Sequence, residues 1–236
     1  MTAIVPYGVV YPEKYHADRK AAAEIATQLG FKEETFIEVT VQWGDQDPNV
    51  HLNNAMYYKY LEAGQCLTAR KPHSPSLPTG RGAYVRSITR KLDAPTAKAI
   101  NQGAQGRGLV VGQVMNRFER PVYAPDHLLI AHRATQVAKK KFVLTSVIVS
   151  FELSSSALQK PRYRLAWVLI ATSRRFLFFL CSQRARVCSG EAIMVGFDYD
   201  NHKGAELPNG LYPLIEREIS DAAQTIAAAQ GSKAKL

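Results

Sequence analysis

The stretch from Thr35 to Leu61 constrains the chain most, because its apolar spacing switches from that of a strand to that of a helix across one turn-rich gap. Ile37, Val39, Val41 and Trp43 alternate with Glu38, Thr40 and Gln42, the period of two expected of a half-buried strand. Gly44-Asp45-Gln46-Asp47-Pro48-Asn49 then offers turn formers in a row. Asn53 is a good N-cap, since its short amide accepts from free N–H groups of a first turn; the helix it opens is expected to run to about Ala69. Tyr57, Tyr60, Leu61 and Gly64 fall on one face of that helix, spaced to lie against a sheet.

The flanking sequence supplies the sheet. A surface helix is expected over Glu13 to Leu29, stopped by Gly30. Strands are expected over Leu109 to Glu119, His127 to Ala138, Phe142 to Glu152 and Val187 to Asp198. In the third, Val143, Thr145, Val147, Val149 and Phe151 share one side. Short turns at Pro121 to Asp126 and at Lys139 to Lys141 predict antiparallel neighbours on either side of each. Lys71 to Gly82 reads as a loop, Asp93 to Gly108 as irregular, and Tyr212 to Ala229 as a closing helix. One helix laid on an antiparallel sheet is an α+β arrangement, here a single domain over residues 1–236 with its core at about 35–199. Residues 154–182 do not fit that pattern and read as an insertion foreign to the domain.

Composition excludes several classes. The net charge of +10 suggests polyanionic partners, but seven basic residues and no acidic one lie between Leu153 and Arg186, leaving only +3 elsewhere. Nucleic-acid binding is therefore not expected. Leu165 to Cys181 is the most apolar run, and Arg174 and Arg175 in its middle exclude a membrane span. Cys66, Cys181 and Cys188 form no CxxC pair, the six histidines show no metal-ligand spacing, and no G-x-S-x-G is present. Cys66 lacks a His one turn away and reads as packed helix surface.

A carboxylate just before a helix lies beside unpaired N–H groups, which can also hold a carbonyl oxygen. That chemistry suits ester or thioester cleavage, and it draws attention to Asp47. The run from Val41 to Glu62, with W-G-D-x-D followed by H-x-N-N at the helix start, resembles the signature of the 4-hydroxybenzoyl-CoA thioesterase family of hot-dog proteins. Weaker similarity continues through Arg117 to Val122 and Ser189 to Asp198. The resemblance implies a hot-dog fold, an antiparallel sheet wrapped around a long central helix, with extra helices at both termini. It implies an acyl-CoA substrate, no cofactor or metal, and a homodimer or dimer of dimers. By resemblance, Asp47 is nucleophile or general base and the N–H near Asn54 polarises the substrate carbonyl, while Asp47, Asn49 and His51 match a D-x-N-x-H spacing similar to that of plant acyl-carrier-protein thioesterases, which implies that Asn49 and His51 position substrate or water. Tyr57 is a candidate to line the substrate, and Arg117, Arg120 and Lys139 to Lys141 are candidates for the phosphates of coenzyme A. Asp45 reads as structural, and Glu62 as solvated or facing a second subunit.

Two alternatives stand beside hydrolysis. The hot-dog hydratases carry a motif similar to Gly44 to His51, although here it is one residue longer and has Asp47 where they have Asn. A non-catalytic acyl-CoA-binding protein is the other. Ala234-Lys235-Leu236 resembles a peroxisomal address, so a peroxisomal location is expected, with the cytoplasm as the alternative.

Overall fold

A computed structural model describes residues 13–62, 81–102, 105–153 and 185–232. The insertion at 154–182, the helix beyond Glu62 with Gly64 and Cys66, and the tripeptide at 234–236 lie outside these residues. Helix α1 (Glu13–Gln28) leads to β1 (Ile37–Thr40) and α2 (Asn54–Glu62). Helices α3 (Arg81–Thr89) and α4 (Ala94–Gln102) precede β2 (Arg107–Phe118), β3 (His127–Ala138), β4 (Lys141–Ser150) and β5 (Arg186–Asp198). The short β6 (Lys203–Gly204) and the long α5 (Leu211–Ser232) follow. The sheet is antiparallel in the order β1-β3-β4-β5-β2, with β6 paired to β5.

Both faces of the central strands are covered. On the concave face, Tyr57, Tyr60 and Leu61 of α2 pack with Leu128, Ile130, Ile148, Val187 and Cys188. Further along it, Tyr84 and Ile88 of α3, Ile100 of α4 and Leu211 and Ile215 of α5 cover Ala134, Phe142, Leu144 and Met194. The other face of β3 and β4, with Leu129, Ala131, Val147 and Val149, lies under Ala22, Ile25 and Ala26 of α1. Each fully buried Leu, Ile or Val contributes about 1.5–3 kcal/mol, and this two-sided burial supplies most of the stability. Strand β4 is therefore apolar on both sides, not only on the side carrying Val143.

Several expectations need correction. Strand β1 stops at Thr40, and Trp43 is 80% exposed instead of sharing the face of Ile37. The cause is Asp45, whose Oδ2 accepts the Gln42 N–H at 2.9 Å and winds Trp43–Asp45 into a 3-10 turn. Asp93 to Gly108 is not irregular throughout: Asp93 Oδ2 accepts the Thr96 N–H at 3.0 Å and caps α4. Arg81 and Gly82, expected in a loop, begin α3. Strands β2 and β3 are not neighbours, because β2 pairs with β5 at the far edge. The segment between them crosses the end of the sheet, and its hydrogen bonds record the path. Glu119 and Arg120 donate to Val187 O, Val122 O accepts from Leu52, and Asp126 O accepts from Val41.

Helix α1 ends as expected at Gly30, with φ +82°. The Gly30 and Phe31 N–H groups donate back to Thr27 and Ala26 carbonyls, and a Cβ at position 30 would collide with Ile226 of α5.

His132 is fully buried, and burial lowers its imidazole to about 3, with the Arg81 charge adding to the effect. A histidine held neutral in the fold leaves stability intact above its unfolded pKa near 6.5 and costs stability as pH falls below it, because the unfolded chain takes the proton. Urea unfolding at pH 7 and pH 5 is expected to show an acid loss of roughly 1 kcal/mol per pH unit that His132→Gln removes. An equal acid loss in both proteins would contradict this assignment.

Candidate active site

The chain between β1 and α2 folds back on itself as a small ladder. Asn53 N–H donates to Asp45 O at 2.9 Å, Gln46 pairs with Leu52, and Asp47 N–H donates to His51 O at 2.9 Å. The tip closes through Val50, at φ +66°, whose N–H donates to Asp47 O. Gln46 Nε2 donates to Val50 O inside the same tip.

Two contacts fix this ladder to the body of the fold. Leu52, 1% exposed, enters the core and donates its N–H to Val122 O at 2.8 Å. Asp45 Oδ2, already accepting from Gln42, also accepts the Tyr60 hydroxyl at 2.5 Å. Tyr60 is buried in the middle of α2, and burial together with the Asp45 charge pushes its phenol above the usual tyrosine range. Asp45 is thus structural, as expected, and the loop is tied to the helix it precedes.

Asp47 and His51 face each other across the ladder, with Oδ2 to Nδ1 at 3.2 Å and the Asp47 side chain only 18% exposed. Asp47 Oδ1 accepts the Asn49 N–H at 2.8 Å. The carboxylate therefore rests on a loop amide and on His51, not on the opening amides of α2, which is a correction to the simplest reading of the motif. At the helix start, Asn53 caps as expected: its Oδ1 accepts from Ala55 at 2.9 Å and its carbonyl from Met56 at 2.8 Å. Among the described residues, the Asn54 N–H has no acceptor. It lies one residue past the Asp45–Asn53 rung, and the Asp47–His51 rung lies two residues on the other side, three residues or roughly 10 Å along the ladder in all. Asn49 contributes its amide to Asp47, while its side chain is exposed.

Tyr57 is 2% exposed, its ring edge-on to Phe118 at 5.1 Å and its hydroxyl directed at Arg120 O, 3.4 Å away. It packs α2 onto β2 instead of standing open to solvent. Arg117 and Arg120 are exposed at the same end of β2. Lys139 to Lys141 are not: by register Arg117 lies level with Val147 of β4, six residues or roughly 20 Å from Lys141. Glu62 is half-exposed and ion-paired at 3.2 Å with the buried Arg81, a partner that sequence reasoning missed because the two are not periodic neighbours. Burial, then the nearby Glu119, pushes the Cys188 thiol up to about 12, so it is no nucleophile at neutral pH. No group of three His, Cys, Asp or Glu among the described residues is arranged to hold a metal ion. A half-open cavity of about 550 Å³ lies beyond the crossover, between α1 and the start of β3, lined by Tyr15, Tyr123, Asp126, His127 and Phe151; Asp47 is not among its walls.

The Tyr60 to Asp45 bond is charge-assisted and mostly dry. Tyr60→Phe is expected to cost about 1.5–3 kcal/mol in urea unfolding, and a loss under about 0.5 kcal/mol would show that the tie is dispensable.

Comparisons with known proteins bear on the fold and the family. The description "Thioesterase-like superfamily" belongs to the sequence family that matches residues 41–215. No curated protein matches the chain. Among solved structures, protein SAV2348 from Staphylococcus aureus, determined with CoA, is similar with a TM-score of 0.50 and 10% identity over 81% of this chain and 87% of its own. A thioesterase from Thermus thermophilus, determined with coenzyme A and Zn, is similar with a TM-score of 0.47 and 15% identity over 81% and 96%. The 1,4-dihydroxy-2-naphthoyl-CoA thioesterase Slr0204 from Synechocystis gives a TM-score of 0.46 and 13% identity over 79% and 96%. With a hot-dog sheet curled around α2 and a family match that spans loop, helix and strands, the chain belongs to the thioesterase-like superfamily.

Proposed function

We propose that the protein hydrolyses acyl-CoA thioesters, with Asp47 as general base or nucleophile and no metal. The observation that carries this reading is a carboxylate of low exposure, Asp47, on the loop that leads into a helix-opening amide, Asn54, with no acceptor among the described residues. In this reading the thioester carbonyl oxygen accepts from the Asn54 N–H, which stabilises the negative charge that develops there. The Asp47 carboxylate, aimed by the Asn49 amide, takes a proton from water as it attacks the carbonyl carbon, or attacks that carbon itself. The carbon–sulfur bond breaks and coenzyme A leaves as the thiol, taking the proton that Asp47 accepted from water; on the nucleophilic route the sulfur takes its proton from solvent and a water then hydrolyses the acyl anhydride on Asp47 to release the free acid. His51, 3.2 Å from Asp47, holds the carboxylate's orientation. Arg117 and Arg120 are suited to meet the phosphates.

The same reading includes a homodimer. Strand β2 is paired on the β5 side alone among the described residues, and an edge strand of 12 residues is a template for another chain. Met115, Phe118 and Tyr58, at 57%, 40% and 39% exposure, make the surface beside it apolar. A second copy against β2 would cover that apolar surface.

Asp47→Asn is expected to lower kcat for acyl-CoA cleavage, followed by thiol release, by about 10²–10⁴-fold while KM changes little. Unchanged turnover with bound ligand would support a binding protein instead. Light scattering is expected to find a dimer for the wild type and a monomer for Met115→Arg, with turnover reduced in the variant; a wild-type protein that is monomeric and fully active would overturn the dimer reading.

A further inference from the structure

The concave face carries polar atoms, away from the Asp47 loop, that the fold leaves unanswered. At one level of the sheet, His132 of β3, Ser146 of β4, Gly190 of β5 and Asn116 of β2 stand side by side. His132 Nδ1 and Ser146 Oγ are 2.7 Å apart, and His132 Nε2 has no partner. The Asn116 carboxamide fills the space a Cβ at Gly190 would need, so it leans over Gly190 toward Ser146. Its Nδ2 and Oδ1 are both buried and both unpartnered. Arg81, 1% exposed, is close enough to disfavour a charge on His132; its Nη1 holds Glu62 and its Nε has no partner.

This polar row occupies the seam between two apolar clusters. Two residues toward α2, the same strands present Ile130, Ile148 and Cys188; two residues the other way they present Ala134, Leu144 and Ala192. A buried donor or acceptor left unmet costs about 1–3 kcal/mol, and natural interiors hold few of them. Three such atoms at one level, without a partner among the described residues, are not explained by packing. A hydrocarbon chain lying there would leave them all unmet, whereas a hydroxyl accepts from Asn116 Nδ2 or His132 and donates to Asn116 Oδ1.

We propose that this row is a specificity site for an acyl chain carrying a hydroxyl far from the thioester. The proposal rests on the acyl-CoA hydrolase reading and names its substrate class. The position follows from α2: Asn54 to Glu62 spans 9 residues, about 13 Å, and Glu62 pairs with Arg81 of α3, a helix that contacts β3. The oxygen thus belongs near the distal end of a medium-length chain.

The test compares dodecanoyl-CoA with its terminal hydroxy derivative in wild type, Asn116→Leu and His132→Phe. Wild type is expected to favour the hydroxylated substrate by about tenfold or more in kcat/KM, since a site built to bond a hydroxyl rejects its analogue. Each variant is expected to bring that ratio to one or below, by losing on the hydroxy chain and gaining on the plain one. Equal cleavage of both substrates by wild type, or a ratio unchanged in the variants, overturns the proposal while leaving the hydrolase reading intact. Cleavage of neither overturns both. Asn116 lies on the edge strand, so Asn116→Leu decides the matter should His132→Phe fail to fold.

Discussion

The bond between the Tyr60 hydroxyl and the Asp45 carboxylate joins the loop proposed to do the chemistry to the helix that packs on the sheet. Tyr60 is fixed because α2 buries its apolar stripe against the sheet. Asp45 is fixed because it winds the preceding turn and receives Asn53 on its carbonyl. Between them the loop has little freedom, and Asp47 inherits its position from that rigidity. Leu52 completes the attachment by plugging the core and bonding to the crossover from β2 to β3.

Much of this was legible in residue order. The change of period across Gly44 to Asn53 announced a strand, a turn and a capped helix, and Tyr57, Tyr60 and Leu61 are the buried face of α2 as their spacing required. The starts and ends of β3 and β5 follow their apolar runs closely. Local signals also failed where tertiary contacts won. The alternation through Trp43 looked like strand, yet one carboxylate, Asp45, diverted the backbone at Gln42. Asp93 followed by Ala94 and Pro95 was a helix start, obscured by the glycines that follow. The eight residues between β2 and β3 looked like a hairpin turn; only hydrogen bonds to Val187, Leu52 and Val41, three separate parts of the chain, show that they cross the sheet.

The site was legible in its membership and not in its contacts. Asp47, His51 and Asn54 could be named from a motif, but that Asp47 leans on Asn49 and leaves the Asn54 amide unclaimed depends on the ladder. The polar row was invisible, because His132, Ser146, Gly190 and Asn116 meet only through strand register. Register converts sequence distance into proximity without leaving any period behind. In the proposed reading the two features are complementary: the loop would hold the thioester, and the row would meet the far end of the acyl chain.

The central claim is that Asp47 and the Asn54 amide act on one carbonyl. A crystal structure with a non-hydrolysable acyl-CoA ketone tests it most directly. The account predicts the ketone oxygen about 3 Å from the Asn54 nitrogen, with the Asp47 carboxylate facing the carbonyl carbon directly or through one water. A ketone bound elsewhere, with the Asp47 to His51 pair undisturbed and remote from it, would contradict the account.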